Sequence, residues 1–389
     1  MKIAQSRWTK ANGWSPDRLP HISQSPQLLL VFGATKALKE PALFDHLRTA
    51  LPSAHFFGCS TAGEIQGVQV ADDSVVVNAI HFEHTQVRGA RVSLQETTSS
   101  FHAGEQLAKR LPPEVPSVSG GAVDKLAHVL VLSDGLGVNG SDLVRGLLQH
   151  LPQGVSVTGG LAGDGAHFSE TLVFWNCDPT EGIIAVIGLY GSHLKVGFGS
   201  LGGWSPFGPE RIITRSKGNV LYELDGQSAL GLYKTYLGEH AKGLLATGLL
   251  FPLSLRTQPG GNVLVRTILA IDEKEQSMTF AGDMPEGAYS QLMKANVDRL
   301  IDGAVAAAQK SNEAMSETPA QLAILISCVG RKLVLRQRVE EELEGVREVL
   351  GEDTLLTGFY SYGEISPFSP GGRCELHNQT MTVTTIAET

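Results

Sequence analysis

Residues 58–65 read GCSTAGEI, and residues 358–365 read GFYSYGEI. Gly58, Gly63, Glu64 and Ile65 recur as Gly358, Gly363, Glu364 and Ile365, and Ser361 stands where Thr61 does. Residues 159–164 read GGLAGD, which sets Ala162-Gly163-Asp164 against Ala62-Gly63-Glu64. Position strengthens the match. Each phrase follows a helix-period segment and a short apolar run by a similar distance, the mark of an internal repeat.

The flanking sequence repeats too. The run QLLLVF at Gln27–Phe32 is ended by Gly33; Leu43, Phe44, Leu47 and Leu51 then recur at helical spacing as far as Pro52, and Ala54–Phe57 leads into Gly58. The same order returns as His128–Leu132, a stripe of Leu143, Val144, Leu147, Leu148 and Leu151, and Val155–Thr158. It returns again as Leu322–Ser327, a stripe of Leu335, Val339, Leu343, Val346 and Leu350, and Leu355–Gly358. Between these units the alternation is that of antiparallel β. Ser74–Phe82 and Gln86–Leu94 read as a hairpin, Leu172–Trp175, Ile183–Leu189 and Leu194–Phe198 as a meander, and Val263–Ile271 as pairing with Ser277–Ala281. The fold class is therefore α/β: mixed sheets with strand–helix–strand units and antiparallel hairpins, internally repeated, in two halves. The composition shift near Leu224–Gly226 places the break, giving a leader over 1–26 and halves over 27–224 and 225–387.

With 389 residues, 42% of them apolar and 18% charged, the chain has ample length for a buried core, and disordered, collagen-like and disulfide-scaffold classes are excluded. No apolar run approaches the ~20 residues a bilayer-spanning helix needs. Residues 1–26 lack the apolar stretch of a signal peptide, so a cytoplasmic protein is expected. There are 31 Lys and Arg against 40 Asp and Glu, a net charge of −9 with no basic stripe, which argues against nucleic acid as a partner. Cys59, Cys177, Cys328 and Cys374 show no C-x-x-C spacing; small free thiols beside apolar strands are expected.

The repeated phrase has a physical reading. A glycine before a carboxylate allows positive φ and close backbone approach, and a hydroxyl lies three residues earlier. If the parallel strands are neighbours, Glu64, Asp164 and Glu364 gather at the edge of the sheet where open α/β folds bind ligands. The alternative is that each carboxylate caps a local turn. The candidate ligand-binding residues are Ser60, Thr61, Gly63, Glu64, Asp164, Tyr360, Ser361 and Glu364. Trp204, in the loop GGWSPFG, is either a pocket wall or a core plug. Arg331, at a strand end, either holds a ligand carboxylate or neutralises Glu364 or Asp164. A hydrolase would use Cys59 or Ser60 as nucleophile, or Glu64 with Glu364 as an acid–base pair, but no G-x-S-x-G elbow is present.

Taken in order, the phrases resemble the FIST domain family of prokaryotic sensory proteins. The matching pieces are VFGATK, GCSTAGEI, GGLAGDG, GGWSPFGPERIITRSKGNVLYELDG, FAGDMPEGA, SCVGRK, GFYSYGEISP and LHNQTMTVT, spread over residues 27–387. The resemblance implies an amino-terminal and a carboxy-terminal FIST domain and a small-ligand sensory role. The stand-alone arrangement is similar to that of bacterial nitric-oxide-sensing haem proteins of the family, which act through a partner histidine kinase. By that resemblance the cofactor is haem b, with His377 nominated as axial ligand, although no C-x-x-C-H motif is present. The alternative is a sensor of a small molecule, for example an amino acid, without haem. With the last family-like strand at Met381–Ile386, the output is expected to be carried by another protein.

Overall fold

The computed structural model describes residues 1–16, 18–117, 123–244, 248–258, 261, 263–368 and 372–389. Three apolar runs become the parallel pairs at the centre of three sheets: Leu28–Gly33 beside His55–Ser60, Val123–Ser133 beside Ser156–Leu161, and Leu322–Cys328 beside Leu355–Ser361. The joining helices are Pro41–Ala50, Gly140–His150 and Glu341–Leu350. These strands are apolar on both faces because both faces are covered. Leu28, Leu30 and Phe32, Leu130 and Leu132, and Leu322, Ile324 and Ile326 all face one core shared by the three sheets. Their alternates Leu29 and Val31, Val129 and Val131, and Ala323 and Leu325 face the helix sides.

Each pair is extended by the same two antiparallel strands. A return strand (Ser74–His81, Ile183–Tyr190 or Met381–Glu388) lies beside the first parallel strand, and an outer strand (Lys2–Thr9, Gln86–Ser93 or Leu194–Leu201) lies beyond it. The repeat is thus threefold. The strands expected to pair as a hairpin, Ser74–His81 and Gln86–Ser93, sit in different sheets. The expected meander is likewise distributed, one strand to each sheet. The turns between them carry the chain from unit to unit, and a turn's local chemistry does not say which sheet the next strand joins.

Residues 1–26 are not a detached leader, because Lys2–Thr9 is the outer strand of the first unit, in register from Lys2↔His81 to Thr9↔Ser74. Its residues are mostly half-buried, as befits a strand near the edge of its sheet.

Between the outer strand of the third unit, Leu194–Leu201, and helix Val297–Ala314 lies an insertion. Its strands run in the order Leu264–Arg266, Leu253–Arg256, Tyr289–Lys294, Ser205–Lys217, Val220–Leu224, Ser277–Phe280 and Ile268–Asp272. The two end strands are separated only by Thr267, so the sheet rolls up. Helix Ala229–Leu237 fills the roll, with Leu230 and Tyr233 packed among Leu253, Met278, Phe280 and Leu292. The break expected at Leu224 falls inside this rolled sheet. Ser277–Phe280 pairs with Ile268–Asp272 as expected, while Leu264–Arg266 turns away to Leu253–Arg256.

Glycine fixes the distance between the parallel strands. Gly58, Gly159 and Gly358 lie opposite Val31, Val131 and Leu325. A Cβ at these glycines would stand 2.0, 1.9 and 1.8 Å from the carbonyl oxygens of those residues. That contact is impossible without separating the strands. Gly159→Ala is therefore expected to cost more than ~4 kcal/mol in denaturant unfolding. Gly218→Ala, at a turn with φ +58° and open space around the position, is expected to cost only ~1–2 kcal/mol. Equal effects would show that strand spacing is not the constraint.

Candidate functional site

The three phrases sit where the sheets interlock. After each second parallel strand the chain leaves its own sheet and pairs with the next. Glu64–Gln66 joins Leu355–Ser361 of the third unit, Gly363–Pro367 joins Ser156–Leu161 of the second, and Val173–Trp175 joins His55–Ser60 of the first. Equivalent backbone bonds close the ring: Ala62 N donates to Tyr360 O at 2.7 Å, Tyr362 N to Leu161 O at 3.2 Å, and Gly163 N to Ser60 O at 3.0 Å.

Glu64 and Glu364 occupy equivalent positions with equivalent partners. Thr61 Oγ1 donates to Glu64 Oε1 at 2.5 Å, and the amide and hydroxyl of Ser74 donate to Oε2 at 3.1 and 2.6 Å. Ser361 Oγ donates to Glu364 Oε1 at 2.6 Å, and the amide and hydroxyl of Thr380 donate to Oε2 at 3.1 and 3.0 Å. Each glutamate staples its phrase to the head of the return strand. They are 1% and 0% exposed. Burial raises Glu64 to about 7 against the pull of the Ser74 and Thr61 donors, and raises Glu364 to about 8 against those of Ser361 and Thr380.

Asp164 behaves differently because the strand register offsets the second copy by one residue. With Gly159 at the level of Gly58 and Gly358, Asp164 falls at the level of Gly63 rather than Glu64. It caps a turn instead, accepting from the amides of Phe168, Ser169 and Glu170 at 2.8, 2.8 and 2.9 Å and from the hydroxyl of Tyr362. Burial acts to raise its pKa, but the Tyr362 and turn donors outweigh it and hold the carboxyl below its ordinary value. The three carboxylates therefore do not line one pocket, and each has its own set of internal donors.

The remaining candidates are also held internally. Ser60 Oγ accepts from Leu172 N at 2.8 Å. Gly63 sits at φ +138°, and a Cβ there would meet Lys332 Nζ at 2.5 Å. Lys332 bridges to the Ala62 carbonyl at 2.9 Å and to Asp72. Trp204 packs with Met293, Leu300 and Leu335, and its Nε1 donates to Gln379 O at 2.9 Å, so it plugs the core beneath its loop.

Arg331 pairs with neither Glu364 nor Asp164, though its charge lowers the Glu364 pKa from a distance; its partner is Glu342, at 2.6 Å from Nη2 and 3.1 Å from Nε, with both side chains wholly buried. Arg331 also donates to Gly202 O at 2.5 Å and Leu300 O at 2.7 Å, tying down the point where the chain departs for the insertion. Glu342 accepts further from Tyr360 OH at 2.7 Å and Ser327 Oγ at 3.1 Å. Within the run Glu340–Glu342 only burial sets Glu342 apart, and the sequence carries no mark of it.

The groups a hydrolase would need are similarly placed. Cys59 is fully buried and burial pushes its thiol far above the ordinary range. Glu64 and Glu364 bond to different return strands.

His377 does not fit a haem ligand. It is buried, its Nε2 donates to Ser366 O at 2.9 Å, and Phe368 packs edge-on at 4.5 Å between ring centroids. Burial lowers its pKa to about 4. It lines neither the cleft walled by Tyr233 and Tyr236 nor the one walled by Arg91 and Arg110. Among the described residues no three His, Cys, Asp or Glu side chains are grouped to hold a metal ion. No helix among them is long and apolar enough to cross a membrane.

Three interlocked units with one rolled-sheet insertion define an internally repeated α/β protein. Residues 27–227 match the FIST N domain and residues 229–367 the FIST C domain, so the chain belongs to the FIST family, whose domains are associated with small-ligand sensing in signal transduction. It is also similar to Uncharacterized protein MJ1623 of Methanocaldococcus jannaschii, at 21% identity over 374 residues, covering 88% of this chain and 70% of that protein. The two family models meet inside the rolled sheet, and the third unit draws strands from both sides of that boundary.

Two predictions follow from the buried charges. Removing one partner of a buried ion pair strands the other, so Arg331→Ala is expected to cost ~3–5 kcal/mol in urea unfolding. Arg331→Lys should recover little, since an ammonium lacks the fork that reaches Glu342, Gly202 and Leu300 together; full recovery would show that charge alone suffices.

The glutamates set a pH dependence. Unfolded, they ionise near 4.5; folded, they keep their protons to about 7 and about 8, so their contribution falls as pH rises across that window. His128 and His377, lowered by burial to about 3 and about 4, act oppositely below their unfolded value of 6.5. A net loss of stability is therefore expected above 6.5. Glu364→Gln should remove ~1.4 kcal/mol per pH unit of the slope. Parallel profiles for wild type and Glu364→Gln would refute this.

Proposed function

We propose that the protein is a cytoplasmic small-ligand sensory module whose state is read by a partner protein, with a histidine kinase as the partner class suggested by the family resemblance. The observation that carries this reading is the ring of handoffs. Each unit completes the sheet of its neighbour, so a ligand that shifts one junction changes the surface of two units. Ligand moves such an equilibrium only by unequal affinity for two states, and ~1–3 kcal/mol of coupling changes partner affinity 5–150-fold. Ser60, Glu64 and Glu364 are committed to internal hydrogen bonds and Cys59 is fully buried, which favours binding over catalysis. The reading is kept without haem, because the nominated ligand His377 is committed to Ser366.

The test is a thermal-unfolding screen of the full chain against small metabolites, followed by kinase autophosphorylation with apo and loaded protein. A true ligand at a hundred times its Kd should stabilise by ~2.7 kcal/mol and alter the kinase rate. Turnover of a substrate by the isolated chain, with no effect on any kinase, would replace the sensory reading.

A further inference from the structure

We propose that a cleft at the seam between the second and first units is a binding site for a small anion bearing a carboxylate or phosphate group. This rests on the sensory reading above and gives that reading a location.

The cleft has a volume of about 350 Å³, within the range of small-molecule sites. The cleft in the rolled sheet, lined by Tyr233 and Tyr236, holds about 10 Å³, barely one water molecule. Three segments supply most of the lining of the larger one. The outer strand Gln86–Ser93 contributes Arg91 and Ser93, two residues apart and so on one face. Helix Ser100–Arg110 ends there with Arg110, and the segment after Val173–Trp175 contributes Cys177 and Thr180.

The two arginines carry the argument. Arg91 gives one N–H to Trp175 O at 3.3 Å, and Arg110 gives one to Arg91 O. These bonds fix the guanidinium groups and leave most of their five donors unused. Among the described residues neither forms an ion pair. Two unpaired guanidiniums in one cleft, on a chain of net charge −9, repel one another until an anion enters, and their fork geometry suits carboxylate or phosphate oxygens. Glu96 on the same wall disfavours highly charged anions, so the fitting ligand carries one or two negative charges.

The position suits a sensor. Arg91 holds the carbonyl of Trp175, whose ring stacks on His55 of the first unit at 4.9 Å and covers Gly89 of the second. An anion drawing on Arg91 therefore acts on the strand that the second unit hands to the first.

Cys177 supplies the readout, being the one cysteine that is not buried. In the native full chain a thiol-specific disulfide reagent should modify Cys177 first. Inorganic phosphate and succinate are the two probes, against potassium chloride at equal ionic strength. The expected result is a saturable slowing by at least one probe, about tenfold at ten times its Kd, and the more effective probe identifies the recognised group. Arg110→Gln, at an exposed helix end, and Arg91→Gln with Arg110→Gln should both abolish the slowing while keeping the wild-type melting profile. No saturable slowing with either probe, slowing matched by chloride, or slowing that persists in Arg110→Gln overturns the site. If a metabolite from the thermal screen still stabilises Arg110→Gln fully, the cleft is rejected and the sensory reading stands.

Discussion

Three backbone hydrogen bonds, from Ala62 to Tyr360, Tyr362 to Leu161 and Gly163 to Ser60, hold the ring of units closed. The rest of the architecture depends on that closure. A unit alone has an unpaired edge at its second parallel strand, and only the neighbour's segment covers it. The apolar faces of the three sheets are likewise buried against one another in one shared core. Unfolding one unit exposes an edge and a face of another, so the three behave as one cooperative body.

The staples explain why glutamate stands at two junctions. Glu64 and Glu364 each gather a turn hydroxyl, a return-strand amide and a return-strand hydroxyl around one carboxyl group. A shorter side chain displaced by one residue, as at Asp164, reaches a local turn and Tyr362 instead. The second junction is thus the odd one, and it has no carboxylate tie to its return strand through the phrase. The seam where Val173–Trp175 passes to the first unit also carries the cleft of about 350 Å³. The threefold plan is broken where ligand control is proposed.

Much of the fold was legible in the sequence because it is local. The runs at Gln27–Phe32, His128–Leu132 and Leu322–Ser327 and their helical stripes are periodic, and period alone gives element and face. What stayed hidden is non-local. Nothing near Glu64 says that its strand joins Phe359, and nothing near Val173 says that it joins Cys59. The repeat also led to the right carboxylates but the wrong surroundings. The donors Ser74 and Thr380 lie 10 and 16 residues away from their glutamates, across a change of sheet, so pocket wall and internal staple look alike in the phrase. Arg331 was identifiable as a cation at a strand end, but its partner lay in an acidic run that reads as solvated helix surface.

The handoffs bear on how the chain is made. Synthesis delivers residues in order, yet Glu64–Gln66 finds its place only when Leu355–Ser361 exists, and Leu194–Leu201 waits for Met381–Glu388. The first two units emerge from the ribosome with edges that their own residues cannot close. Such long-range pairings form slowly, and open edges in the interval invite strands from other nascent chains. The folded ring covers the edge of every second parallel strand, and during translation those edges stand open.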